Sequence, residues 1–168
     1  MTEISGGESL SPFKVLAFFT ADHAVVENGK VYVNGGFFDR ILQPAYPAQI
    51  SIAMVAMLEV SPEAFLQDHK FAIEMRDGVG NALPAPVRIE GGLRVAPTPD
   101  LGRGEPTKVP LAVPLDGLTV ERAGDYLFVL TISGNEVAHY KVRAVQMGMV
   151  LQPSSQISSG DSGGSEEE

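Results

Sequence analysis

The stretch Thr20-Ala21-Asp22-His23-Ala24-Val25-Val26-Glu27-Asn28-Gly29-Lys30-Val31-Tyr32-Val33-Asn34-Gly35-Gly36-Phe37-Phe38-Asp39-Arg40-Ile41 decides the class of fold. Apolar runs flank Asn28-Gly29, a dipeptide that reaches positive φ at little cost and so favours a type I′ turn between paired strands. A β-hairpin is predicted here. Around it stand Asp22, His23, Asp39 and Arg40. A purely structural hairpin does not require these polar residues, so the hairpin is also the first place to look for function.

Outward from the hairpin the period-two signal continues. Phe13 to Phe19 forms a short apolar run before it. From Ile50 to Val60 every even position is apolar, and Ala53, Val55 and Met57 join them in the middle. That pattern fits a central strand covered on both faces at mid-length, with a buried helix as the competing reading. Ser61-Pro62-Glu63 then supplies an N-cap type, a first-turn proline and an acid, which predicts a short helix over 62–68. Phe71, Ile73 and Met75 alternate with Lys70, Glu74 and Arg76. Val87 and Ile89 alternate with Arg88 and Glu90, and Leu93 and Val95 flank Arg94. These read as strands with one wet face. Asp77 to Asn81 is a turn, the Pro/Gly-rich segment 97–106 a surface loop, and 107–113 another strand. Tyr126–Ile132 and Val137–Val145 make a second hairpin over Ser133-Gly134-Asn135-Glu136. Short strands at this rhythm predict an all-β chain, an antiparallel β-sandwich.

Composition bounds the rest. At 168 residues the chain suits one domain of ordinary size, single domains commonly running to roughly 100–150 residues, plus tails. The expected division is a flexible lead-in over 1–12, the sandwich over 13–150 and a disordered acidic tail over 151–168, rich in Ser, Gly and Glu. No run of about 18 apolar residues occurs, so no membrane partner is expected. The acidic start of the chain lacks the features of a secretion signal, which makes the cytoplasm the expected location. With no cysteine, thiolate metal sites and cysteine nucleophiles are excluded. The net charge is -9, and even without Asp161, Glu166, Glu167 and Glu168 the body is acidic. Such a body repels a phosphate backbone, so no nucleic-acid partner is expected.

Two resemblances add to this reading. Ala123-Gly124-Asp125-Tyr126, entering a long strand, resembles the tyrosine corner of immunoglobulin-like sandwiches and implies that architecture. Residues 13–150 as a whole resemble an uncharacterised family of small bacterial and phage proteins, a domain of unknown function. The residues that carry it are Ala21-Asp22-His23-Ala24, Gly29-Lys30-Val31-Tyr32-Val33, Gly35-Gly36, Asp39-Arg40-Ile41 and Gly124-Asp125-Tyr126. The resemblance implies a β-sandwich and no particular chemistry.

Several motifs imitate active sites. Gly160-Asp161-Ser162-Gly163-Gly164 matches the nucleophile segment of trypsin-like proteases, yet it lies in the low-complexity tail with no following strands to aim Ser162. Gly78-Val79-Gly80 begins like a dinucleotide loop, but prolines follow where the helix behind the phosphates should start. A metal or acid–base site could be built from Asp22, His23 and Asp39, with His69 or His139, if the strands brought them together. His139, Lys141 and Arg143 share one face of the last strand, either a solvated face or a docking stripe for an acidic segment such as the chain's own tail. Phe18-Phe19 and Phe37-Phe38 put one ring on each face of a strand, so either both faces are covered or one ring of each pair is exposed at an interface.

The predicted function is a non-enzymatic binding or assembly module that docks through an edge strand or a sheet face. Loops near 20–24, 34–40 and 97–106 would supply specificity. Phe37, Phe38, Arg40, His139, Lys141 and Arg143 are the candidate interface residues, the partner being another protein or a second copy. No catalytic residue and no cofactor are predicted. The alternative is a small metal-dependent hydrolase or ligand-binding protein using Asp22, His23 and Asp39. It requires those three side chains to converge.

Overall fold

The computed structural model describes residues 2–3, 11–97, 99 and 104–148. The tail with its Ser162 motif, and part of the 97–106 segment, lie outside them. The described chain forms β1 (Thr2–Glu3), β2 (Phe13–Glu27), β3 (Lys30–Gly36), β4 (Arg40–Gln43) and β5 (Ala48–Val60). Then follow β6 (Asp68–Asp77), β7 (Ala82–Arg94), β8 (Thr107–Val120), β9 (Gly124–Ile132) and β10 (Asn135–Gln146). One sheet runs β1-β10-β9-β6-β7, with β4 also on β10; the other runs β3-β2-β5-β8. The chain is all-β, two sheets stacked around one core.

The opening hairpin is as the turn chemistry predicts. Asn28 and Gly29 both sit at positive φ, 50° and 72°, and Ser133 and Gly134 repeat the arrangement between β9 and β10. The run from Ile50 is a strand rather than a helix. It lies between β2 and β8, and Ile52 through Ala56 are buried without interruption because side chains cover both faces there. The inner faces meet in a single cluster that includes Phe18, Met54 and Leu58 from one sheet and Ile73, Phe128, Leu130 and Val142 from the other. Burying each such side chain stabilises the fold by about 1.5–3 kcal/mol.

Four expectations are corrected. The helix at 62–68 is only a 3-10 turn, Pro62–Ala64. Ser61 makes no side-chain cap bond, and Phe65 already returns to extended backbone, so nothing propagates a helix. Residues 20–24 are not a loop: β2 runs unbroken through them to Glu27. The alternating segments around Val87 and Leu93 are one strand, β7, continuing through Gly91 and Gly92. Not every pairing is antiparallel either, since β4 lies parallel to β10, Arg40 to Gln43 beside Arg143 to Gln146.

Candidate functional site

β3 and β4 follow one another in sequence but belong to different sheets, and each is an outermost strand. The link between them, Phe37-Phe38-Asp39, is pinned from both sides. The Phe38 carbonyl accepts hydrogen bonds from the Thr20 hydroxyl on β2 and, at 3.1 Å, from the Tyr140 hydroxyl on β10. The Phe37 amide donates to the Thr20 carbonyl and the Arg143 amide to the Asp39 carbonyl, both at 2.8 Å. These bonds hold Phe37 at φ 66°, a conformation costing a residue with Cβ roughly 1–2 kcal/mol. Its ring stacks on Phe19 with centroids 3.8 Å apart and remains 65% exposed. Of the adjacent aromatic pairs, Phe18 and Phe19 are both buried, whereas Phe37 leaves one ring in solvent.

Where the two sheets part beside β3 and β4 there is a cleft of about 690 Å³. Phe38, Ile41, Ile50 and Ile52 give it an apolar lining, and Asp22, Arg40, Gln43, Gln49 and Ser51 add polar groups. A concave apolar site with a few polar groups is the form that binding sites commonly take. Two other hollows, of about 440 Å³ beside β7 and β8 and about 920 Å³ around the 77–79 turn, contain none of the candidate metal or interface residues.

Asp22 enters the cleft because of Gly35. In a hairpin closed by a two-residue turn, Glu27 and Lys30 form the hydrogen-bonded pair next to the turn, and the pairs then alternate. Asp22 and Gly35 lie between the registered pairs Ala21–Gly36 and His23–Asn34. A Cβ on Gly35 would lie 1.9 Å from the Asp22 carboxylate, and Gly35 is at φ 62°. The same alternation leaves the backbone N–H and C=O groups of Val31 and Val33 pointing away from β2, along the open edge, and it breaks beyond Asn34, where the Phe37 amide bonds back to Thr20. The Gly35-Gly36 doublet inside a strand is the sequence signal that could have located this contact, because glycine there often marks a close approach. Gln43, Gln49 and Ser51 carry no comparable signal.

The candidate residues divide three ways. Asp22, Phe38 and Arg40 line the cleft, and Phe37, between Gly36 and Phe38 in the chain, does not. His23 follows Asp22 on β2 and so projects to the opposite face of the sheet. Arg40 approaches Asp39 at 3.9 Å. Among the described residues no three His, Cys, Asp or Glu side chains are grouped so as to hold a metal ion. The convergence required by the metal reading is therefore not found there. His69 is tied into the fold: its ring nitrogens lie 3.1 Å from the Ala64 carbonyl and 3.3 Å from the Ser133 hydroxyl, and its ring meets Phe13 edge-on.

His139, Lys141 and Arg143 share a face of β10 as predicted, but acids of the same sheet engage them. Lys141 lies 2.8 Å from Asp125, Arg143 grips the same carboxylate at 2.6 and 3.2 Å, and His139 is 3.5 Å from Glu136. Nearby, Glu74 joins Arg76 and Arg88. Burial pushes the Glu74 carboxyl up, but the hydrogen bonds and charge of the two arginines outweigh it and leave it below its ordinary value. Hydrogen bonds from Arg143 and then Lys141 hold Asp125 far below the ordinary carboxylate range.

A depressed carboxyl contributes stability that is present above its unfolded pKa, here 3.8, and lost as pH falls through the lower folded value. Asp125→Asn should therefore lower the melting temperature at pH 7, and the gap to wild type should narrow below about pH 4. Melting curves between pH 7 and 2 check this; a gap that widens in acid would contradict it.

Among the described residues no helix is long and apolar enough to cross a membrane, which says nothing of a β-barrel. No curated protein matches the chain. Among solved structures, the Pseudomonas fluorescens alkylpurine DNA glycosylase AlkC, bound to DNA containing an abasic site analog, is similar at 11% identity and a TM-score of 0.44. That match covers 80% of this chain and 30% of the glycosylase. The β-glucosidase from Listeria innocua is similar at 10% identity and a TM-score of 0.42, covering 82% of this chain and 16% of that one. This chain thus spans less than a third of either protein, and likeness at that level carries no functional argument. Residues 16–145 match a family of unknown function, DUF6941, in line with the uncharacterised family expected from the sequence, and the chain belongs to that family.

Proposed function

We propose that the chain is a cytoplasmic, immunoglobulin-like binding module that takes up an extended segment of a partner protein along the free edge of β3. The segment's backbone would pair with Val31 and Val33, and its inward side chains would enter the cleft beside Asp22. The observation that carries this reading is the contrast among the sheet edges. β8 has Pro110 and Pro114, β7 has Pro84 and Pro86, and β1 and β4 span only two and four residues. Prolines and shortness are the usual ways in which an edge is kept from pairing. β3 spans seven residues, has no proline, and has one charge, Lys30, at the turn. It carries the exposed ring of Tyr32, and the exposed ring of Phe37 follows its end. Strand addition of this kind draws affinity from main-chain hydrogen bonds and specificity from alternate side chains. The immunoglobulin-like assignment is supported by Tyr126, whose hydroxyl donates to the Arg122 carbonyl at 2.9 Å, four residues upstream.

The test is Val33→Pro. The Val33 amide makes no bond to β2, so the folded chain should lose less than about 1 kcal/mol. Docking should be abolished. Peptides selected from a phage-displayed random library against the wild-type chain are expected to lose binding to Val33→Pro while the melting temperature stays nearly unchanged. Equal binding to both proteins would rule out the β3 edge.

A further inference from the structure

We infer that Asp22 selects a cationic side chain, lysine or arginine, in the segment docked on β3. The inference rests on the strand-docking reading and specifies its ligand. Asp22 and Gly35 stand between the registered pairs Ala21–Gly36 and His23–Asn34, directly beyond Val33 on the free edge. The carboxylate occupies the volume that any side chain on Gly35 would need, and β3 adopts a left-handed residue there. A docked strand pairing with Val31 and Val33 and continuing alongside Gly35 would bring a side chain close to that carboxylate, since neighbouring strands run roughly 4.7–4.9 Å apart.

The electrostatics point the same way. The Asp22 carboxylate makes no hydrogen bond or ion pair with another described residue. The other charge lining the cleft, Arg40, has Asp39 beside it at 3.9 Å, which leaves Asp22 as the uncompensated group. An anion in a cleft that a docked strand would close needs a donor or a positive charge, because desolvating it unpaired is costly. A lysine or arginine supplies both, and charge-assisted hydrogen bonds of this type are the stronger ones. The chain's net charge of -9 draws such a segment in the same direction.

Panning a random peptide library on the wild-type chain and on Asp22→Asn tests this. Asp22 is exposed, so the variant should fold, and its melting curve checks that. Peptides selected on wild type are expected to share a lysine or arginine at one position, and their affinity should fall about tenfold on Asp22→Asn, with the difference shrinking in high salt. Replacing that residue with norleucine should cost the same affinity on wild type and nothing further on Asp22→Asn. Peptides that need the β3 edge but show no basic preference would overturn the inference and leave strand docking standing. Recovery of no peptide, or only of peptides indifferent to Val33→Pro, would overturn both.

Discussion

Phe18→Ala should lower the free energy of unfolding by about 3–5 kcal/mol, the range for emptying a large aromatic site in a closed core. The Phe18 side chain is fully buried on the inner face of β2. Its strand neighbour is Ala56 on β5, whose small side chain leaves the space that the ring fills. The strands on either side are held by their ladders, so the cavity is expected to collapse only in part. At roughly 3 °C per kcal/mol for a chain of this length, the melting temperature should drop by about 10–15 °C. Phe18→Leu retains most of the volume and should cost clearly less. Urea titrations of the three proteins decide the matter. A loss below about 1 kcal/mol for Phe18→Ala would show that the ring does not lie between the sheets.

Gly35→Val should be the most damaging change near the cleft, at about 2–4 kcal/mol. Two effects add. A residue with Cβ at φ 62° is strained by roughly 1–2 kcal/mol, more for a β-branched one. The new Cβ would also lie 1.9 Å from the Asp22 carboxylate, which must move. Gly29 separates the two effects. It too has positive φ, 72°, but nothing within 4 Å of an added Cβ, so Gly29→Ala measures the torsional cost alone, about 1 kcal/mol. In a double-mutant cycle, Asp22→Ala should recover the steric part of Gly35→Val and leave the torsional part. Complete recovery would mean that the backbone is not strained there, and no recovery that Asp22 does not face Gly35.

Much of the fold was legible because local chemistry and long-range packing agree in it. Asn28-Gly29 and Ser133-Gly134 announce their turns, and β5 declares burial on both faces through Ala53 and Val55. Elsewhere the deciding contacts are distant. Thr20, Asp22 and His23 look like loop residues, yet β2 continues through them because β5 pairs it as far as Ala21 and β3 takes over from there. The parallel pairing of β4 with β10 joins residues about a hundred positions apart and leaves no local trace. Ser61-Pro62-Glu63 has the composition of a helix start, but the chain turns into Phe65 before a second turn can form. The charged face of β10 was legible, whereas its neutralisation by Asp125 depends on which strand lies alongside. At the cleft, Asp22 and Arg40 stand out in the sequence by their position around the hairpin, and Phe38 by its place in an adjacent pair of aromatic residues. The cleft itself needed the sheets to part beside β3 and β4.

Amide hydrogen exchange residue by residue, on the chain alone and saturated with a selected peptide, tests the docking edge most directly. In the free chain Val31 and Val33 should exchange fast, and Tyr32 and Asn34, bonded to β2, slowly. On saturation the first two should become protected while Tyr32 and Asn34 change little. Protection appearing on β7 or β8 instead, with Val31 and Val33 still fast, would contradict the proposal of β3 as the docking strand.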